Sequence, residues 1–364
     1  PSLGADLGGA NGQGADRVAF MAGRFVVNAT GTGRFYFSAA YNGASWGALD
    51  WYTAEGAPDD LIALVNSKNE LWLIGSQTVE AWYMTGDSDE PFARINGALN
   101  NIGCAAKDTL ATNGNQLFWL GANAQGQGVV WSASGYIPER ISTHGIEYII
   151  GQLSRTDDAV GYCYQQEGHA FYVLNFPAGG RTLVYDLTTG MWHERSFWQS
   201  EPGEHDAHLA VSHTAANGVN YVGSREDGGV YVYDLDSYTD NGEIIRRERT
   251  TAHQAVENKR VTFNHVELEM ERGTADKPSL ITVSTGSTVL EPAGDPYMVL
   301  NVSDDGGFTW SSNKYASMGQ MALRSTRVRW NRLGCSRDRL FRFWSVAPVK
   351  TNIIDAYASL EVEP

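Results

Sequence analysis

A chain of 364 residues, 42% apolar and 11% aromatic, holds enough nonpolar surface to bury a large core, which excludes a disordered polymer. Its net charge of −15 excludes a protein that grips nucleic acid over its whole surface, because phosphate contacts need a basic face. Apolar runs stop at strand length, far short of the roughly 20 residues of a membrane span, so no stable membrane insertion is expected.

Residues 1–16, with Gly4, Gly8, Gly9, Gly12 and Gly14 among small polar residues, read as a flexible lead-in. No leader pattern is present and the first residue is Pro1, so the segment is expected to begin inside a longer gene product or after processing. Five similar modules follow. Each has an apolar strand: Arg24 to Val27, Leu71 to Gly75, Leu117 to Gly121, Phe171 to Leu174, and Asn220 to Gly223. A partner strand then carries Tyr36, Trp82, Trp131, Tyr185 or Tyr233. Anchored on Phe25, Trp72, Phe118, Phe171 and Tyr221, the spacings are 47, 46, 53 and 50 residues, close to the period of propeller blades. Such a unit cannot bury its apolar face alone, so neighbours stack around an axis. An all-β fold with a β-propeller over 17–256 is expected. A pair of β-sandwiches is the alternative that short, regularly spaced strands leave open. Within the repeats, Glu147 to Ile150 fits one turn of helix or a strand equally well.

His205, Asp206, His208 and His213 offer metal-ligand chemistry, but the Glu-Pro-Gly and Asn-Gly signals around them describe a polar loop leading into a strand. His193 and Glu194 are adjacent, and in a strand they point to opposite faces. A nucleophile with its base and orienter, a phosphate loop and a dinucleotide glycine motif are all missing from the sequence. The expectation is therefore no enzyme, no cofactor and no metal. Cys104, Cys163 and Cys335 are odd in number and far apart, which argues against a disulfide framework and suits synthesis in a reducing cytoplasm.

Beyond Val256 the period is lost while strand alternation continues, so 257–364 is expected to be a second antiparallel β domain or an elaborated closing blade. It contains an Asp-box pattern at Ser303, Asp305, Gly307, Thr309 and Trp310, in which the carboxylate closes a hairpin turn and glycine takes a φ that a Cβ would disfavour. Eight basic residues against one acid lie between Arg324 and Lys350, so the rest of the chain is more acidic than the total suggests. With Trp330, Phe341, Phe343 and Trp344 interleaved, this stretch has the look of a nucleic-acid patch. Its alternation instead puts Arg327, Arg329, Arg332, Arg339 and Arg342 on strand faces that are expected to meet carboxylates of a neighbouring subunit or partner.

Several stretches resemble the packaged-DNA-stabilisation, or tail hub and nozzle, proteins of short-tailed bacteriophages. They are Gly33 to Ser38 with Ser45-Trp46 and Leu49-Asp50; Asp60 to Gly86; Arg140 to Glu147; Gly168 to Leu174; Trp192 to Arg195; and Arg329 to Gly334. Their order along the chain, from about Arg17 to the end, carries the resemblance. It implies a structural virion protein, made in the host cytoplasm and assembled in a ring of usually six copies below the portal and adaptor. Such a ring would extend the DNA channel, retain packaged DNA and let the duplex pass on ejection. It also implies a further N-terminal segment in other members. An acidic lumen would suit this role, since it repels phosphates over a Debye length of about 8 Å at physiological salt. The competing reading is a glycan-binding or sialidase-like propeller, prompted by the Asp box and the abundant Trp and Tyr; a sialidase-like site needs convergent arginines and a Tyr/Glu pair.

Overall fold

The computed structural model describes residues 14–47, 49–54, 56, 58–88, 90–122, 128–273, 279–282, 288–291, 294–320 and 322–362. Most of the Gly-rich lead-in expected over 1–16 lies outside these residues. The chain forms two compact units, Pro1–Phe197 with His205–Tyr233, and Trp198–Glu204 with Asp234–Pro364.

The first unit is a succession of antiparallel sheets. Blade I comprises Val18–Met21, Arg24–Asn28, Arg34–Phe37 and Trp51–Thr53. Blade II follows with Leu61–Ser67, Glu70–Gly75, Val79–Met84 and Phe92–Arg94. Blade III is Ala111–Asn113, Gln116–Ala122, Val129–Ala133 and Glu139–Arg140, with Gly103–Cys104 also paired to its second strand. Blade IV contains Val160–Gln166, His169–Phe176, Arg181–Asp186 and Met191–Gln199. Blade V has Ala210–Ala216, Val219–Ser224 and Val230–Val232.

The repeat seen in the sequence is thus the second and third strands of each blade, and a strand precedes it every time. In blades I, II, IV and V that earlier strand enters the repeat through a two-residue turn: Ala22-Gly23, Lys68-Asn69, Glu167-Gly168 or Asn217-Gly218. Every one of these residues has positive φ, the requirement of the tight hairpin turn that matches strand twist.

Stacking follows from the second strands being apolar on both faces. Leu71 and Leu73 join the core shared with blade I, while Trp72 and Ile74 join the core shared with blade III. Leu117 and Trp119 face blade II, and Phe118 and Leu120 pack with Tyr172 and Leu174 of blade IV. Val173 then meets Val222 of blade V. A strand with no polar face has to be buried on both sides, and a row of stacked blades provides that. At the ends of the row an apolar face stays uncovered: Phe20 of blade I is 55% exposed and Val230 of blade V 73%.

Glu147 to Ile150 lies within an α-helix, His144–Gln152, whose Thr143 side chain accepts the Ile146 N–H and whose Ile146 and Ile150 enter the core between blades III and IV. Spacing of four places both isoleucines on one helical face, and that burial decides between helix and strand.

The second unit is a β-sandwich rather than a closing blade. One sheet runs Arg247–Thr250, Asp338–Ser345, Tyr297–Ser303, Lys314–Ser317, and the other Val328–Ser336, Val261–Met270, Ile353–Val362. Val261, Phe263, Val266 and Leu268 from one sheet pack with Met298, Leu300, Phe341 and Phe343 from the other, the interleaving expected of two facing sheets.

Candidate functional site

Both sequence motifs that called for a role, the Asp box and the arginine-rich strands, lie in the sandwich. Ser303 ends its strand, and its hydroxyl donates to Asp305 (2.7 Å) while accepting the Gly307 N–H (2.9 Å). Asp305 also accepts the Thr309 N–H (2.9 Å) and hydroxyl (2.6 Å). Gly306 and Gly307 take φ of 77° and 97°, where a Cβ is strained. These bonds, led by the Thr309 hydroxyl, hold the Asp305 carboxyl down at about 2. A depressed carboxylate pKa supports the folded turn above its ordinary value near 3.8 and withdraws that support as pH falls toward 2. Protection of the Thr309 amide, its exchange measured against that of an unfolded chain at the same pH, is accordingly expected to be strong at pH 5 and to fall between about pH 4 and 2. Asp305→Ala should abolish this protection at every pH.

Trp310 packs against a guanidinium: Arg342 lies 4.0 Å from its ring centre and 3.8 Å from Glu248. Burial lowers the Arg342 pKa, with Glu248 acting the other way. Arg246 lies against both Trp198 (4.7 Å) and Trp344 (4.2 Å) in the same unit. The neighbour of the motif aspartate, Asp304, takes Arg339 in a two-bond pair (2.6 and 2.7 Å). Arg339 is 3% exposed, donates a third bond to the Leu333 carbonyl (2.7 Å) and sits 4.9 Å from the Phe263 ring centre. Arg327 pairs with Glu267 through two bonds (2.8 and 2.6 Å), which lower the Glu267 pKa and raise that of Arg327.

The five arginines therefore do not share one face. Arg327, Arg329 and Arg332 belong to the three-stranded sheet or its approach, and Arg339 and Arg342 to the other sheet. Arg339 is an interior residue held by its own chain, which removes it from any surface. Arg329 stands opposite Glu267 in the ladder, and Arg332 is exposed with φ of 56°. Asp304, Glu267 and Glu248 were not legible as partners in the sequence; the doubled aspartate at 304–305 was the one available signal.

The histidine group does not converge. His205 meets Ser196 (2.8 Å), Asp206 takes Arg225 (2.7 Å), His213 meets Asn220 (3.0 Å), and buried His208 accepts the Ala210 N–H through Nδ1 (3.2 Å). Burial pushes His208 down to about 3. Among the described residues no three His, Cys, Asp or Glu side chains are placed to hold a metal. His193 and Glu194 take opposite faces as expected: Glu194 pairs with Arg181 (2.8 Å), while His193 packs edge-on to Phe171. Their neighbour Arg195 was missed. It donates to Tyr164 (2.6 Å) and lies against the rings of Tyr164, Phe171 and Tyr233, tying blades IV and V together.

Compared with known proteins, the chain matches the family described as Bacteriophage P22 Gp10, beta-propeller, over residues 11–238. It matches that described as Bacteriophage P22 Gp10, beta-sandwich, over residues 246–361. No curated protein matches it. Among solved structures it is similar to an exo-beta-1,3-galactanase from Phanerochaete chrysosporium, at 12% identity over 94% of this chain and 80% of that one, with a TM-score of 0.30. It is also similar to the dihydro-heme d1 dehydrogenase NirN, at 11% identity over 89% of this chain and 59% of that one, with a TM-score of 0.40. Likenesses this distant carry no inference about activity.

Proposed function

The chain belongs to the bacteriophage P22 Gp10 family of structural phage proteins, and on that premise we propose that it is a hub or nozzle of a short tail, retaining packaged DNA and passing it on ejection. The observation that carries the reading is the match of both units, propeller then sandwich, in one order along the chain. In this role copies assemble with themselves, as a ring of six, and with the portal and adaptor. The duplex passes through the lumen without tight binding.

Charge supports the last point. Three arginines of the basic stretch of an otherwise acidic chain are engaged internally: Arg339 with Asp304, Arg327 with Glu267, Arg342 with Glu248. Guanidinium groups held by carboxylates have little left for phosphate, so a DNA duplex is confined by repulsion and slides. Uncovered apolar faces on blades I and V are the kind of surface that assembly buries. The glycan-active alternative is not favoured, because the arginines it needs in one cleft are held in separate pairs.

Particles assembled without this protein are expected to package DNA and then lose it, so that the genome becomes nuclease-sensitive, with retention restored by supplying the chain in trans. Full, nuclease-resistant particles in its absence would overturn the retention role.

A further inference from the structure

The three-stranded sheet of the sandwich ends on one side in Ile353–Val362 and on the other in Val328–Ser336. Among the described residues, each of these strands makes its ladder only with Val261–Met270 between them. In register, Ile353, Ala356, Ala358, Leu360 and Val362 stand opposite Met270, Leu268, Val266, Phe263 and Val261, so they point toward the layer those five bury. Yet Leu360 is 42% and Val362 39% exposed. An apolar stripe in line with the core, on an unpaired ladder edge, is a site for strand addition.

Charge says which strand fits. On the other face of the same strand Asp355 stands directly opposite Glu269, a like-charge ladder pair that is destabilising by itself. Neither carboxylate has an ion pair among the described residues; the Tyr357 hydroxyl lies between the two, 3.1 Å from Glu269, and Asp355 accepts the Ala356 N–H (2.7 Å). At the far edge, Glu267 is already held by Arg327 with Arg329 opposite it in the ladder, and Arg332 is exposed with no carboxylate partner there. Asp355 is thus an exposed carboxylate without an ion pair on one edge strand, and Arg332 an exposed guanidinium without a carboxylate partner on the other. A second copy of this chain supplies both complements.

We propose that sandwich sheets of successive copies join edge to edge, with strand 353–362 of one copy beside strand 328–336 of the next and Asp355 facing Arg332. Such a head-to-tail contact uses two different surfaces and so builds a ring or filament rather than a closed pair. The inference rests on the reading of the chain as a ring-forming tail component, and adds the surface through which copies meet.

Its test is sedimentation of the purified chain as a function of concentration. Asp355→Arg leaves two positive charges to meet across the contact and Arg332→Glu two negative ones; each alone is expected to weaken self-association at least about tenfold. Mixing the two single variants, or combining them in one chain, should restore association to near the wild-type level. Both positions are exposed, and an unchanged circular dichroism spectrum is required of each variant as the check that the fold is kept. Wild-type assemblies indifferent to either change, or a mixture that fails to recover, overturn the edge contact while leaving the ring standing. A wild-type chain that stays monomeric at every concentration also overturns it, and the role in the tail is then judged separately by DNA retention in particles.

Discussion

Asp304→Ala is expected to destabilise the sandwich by about 3 kcal/mol, the lower part of the range for breaking a buried ion pair from one side. The lower part applies because Asp304 is about half exposed whereas Arg339 is interior. Removing the carboxylate leaves a guanidinium buried against Phe263 with one remaining acceptor, the Leu333 carbonyl. Arg339→Met is the informative control: it fills similar space and leaves behind Asp304, which water can reach, and one neutral acceptor, the Leu333 carbonyl, so its loss should be nearer about 1 kcal/mol. The order of the two variants is the prediction. Hydrogen exchange at the Leu300 and Phe343 amides, inside the sheet that carries the pair, reads the stability of this unit directly. Equal losses, or a larger loss for Arg339→Met, would show that Arg339 acts by packing and not by charge.

Trp119→Ala should destabilise the propeller by about 3–5 kcal/mol, as for other large buried aromatics truncated to a methyl. Trp119 is fully buried between blades II and III, in one cluster with Trp72, Ile74, Val79 and Leu117. Blade stacking replaces a single central core, so the cavity strips contacts from two sheets at once. Its indole N–H is buried without a partner, so Trp119→Phe removes an unsatisfied donor along with some volume and should cost markedly less. Amide protection of Leu73 and Val130, one in each blade, is expected to fall together in Trp119→Ala. A loss confined to blade III would mean that the blades are not energetically coupled through this residue.

The propeller was legible because its second strands are nearly continuous apolar runs at a regular period. Which face each anchor takes was not: Phe25 points away from blade II, while Trp72 points toward blade III and Phe118 toward blade IV. A strand apolar on both sides carries no mark of its inner and outer neighbour. The first strand of each blade escaped notice for a different reason. Ala111–Asn113 and Val18–Met21 are short, and the positive-φ pairs that join such strands to the repeat include Lys68-Asn69, which is a weak turn signal in sequence. The helix was half-legible in Glu147 to Ile150, and the spacing of Ile146 and Ile150 and Thr143 as its cap were the clues left unused. In the sandwich the arginine alternation was visible, but Asp304, Glu267 and Glu248 come from distant strands. Their pairing is set by register and sheet packing, which no local pattern encodes.

The central claim is that this chain is built into a short phage tail. Electron microscopy of purified particles, with a gold label on a tag added after Pro364, tests it most directly. The account predicts label at a six-fold ring on the tail, below the portal, in every full particle. Particles that carry no label there, with the protein recovered only in the soluble fraction of the lysate, would contradict it.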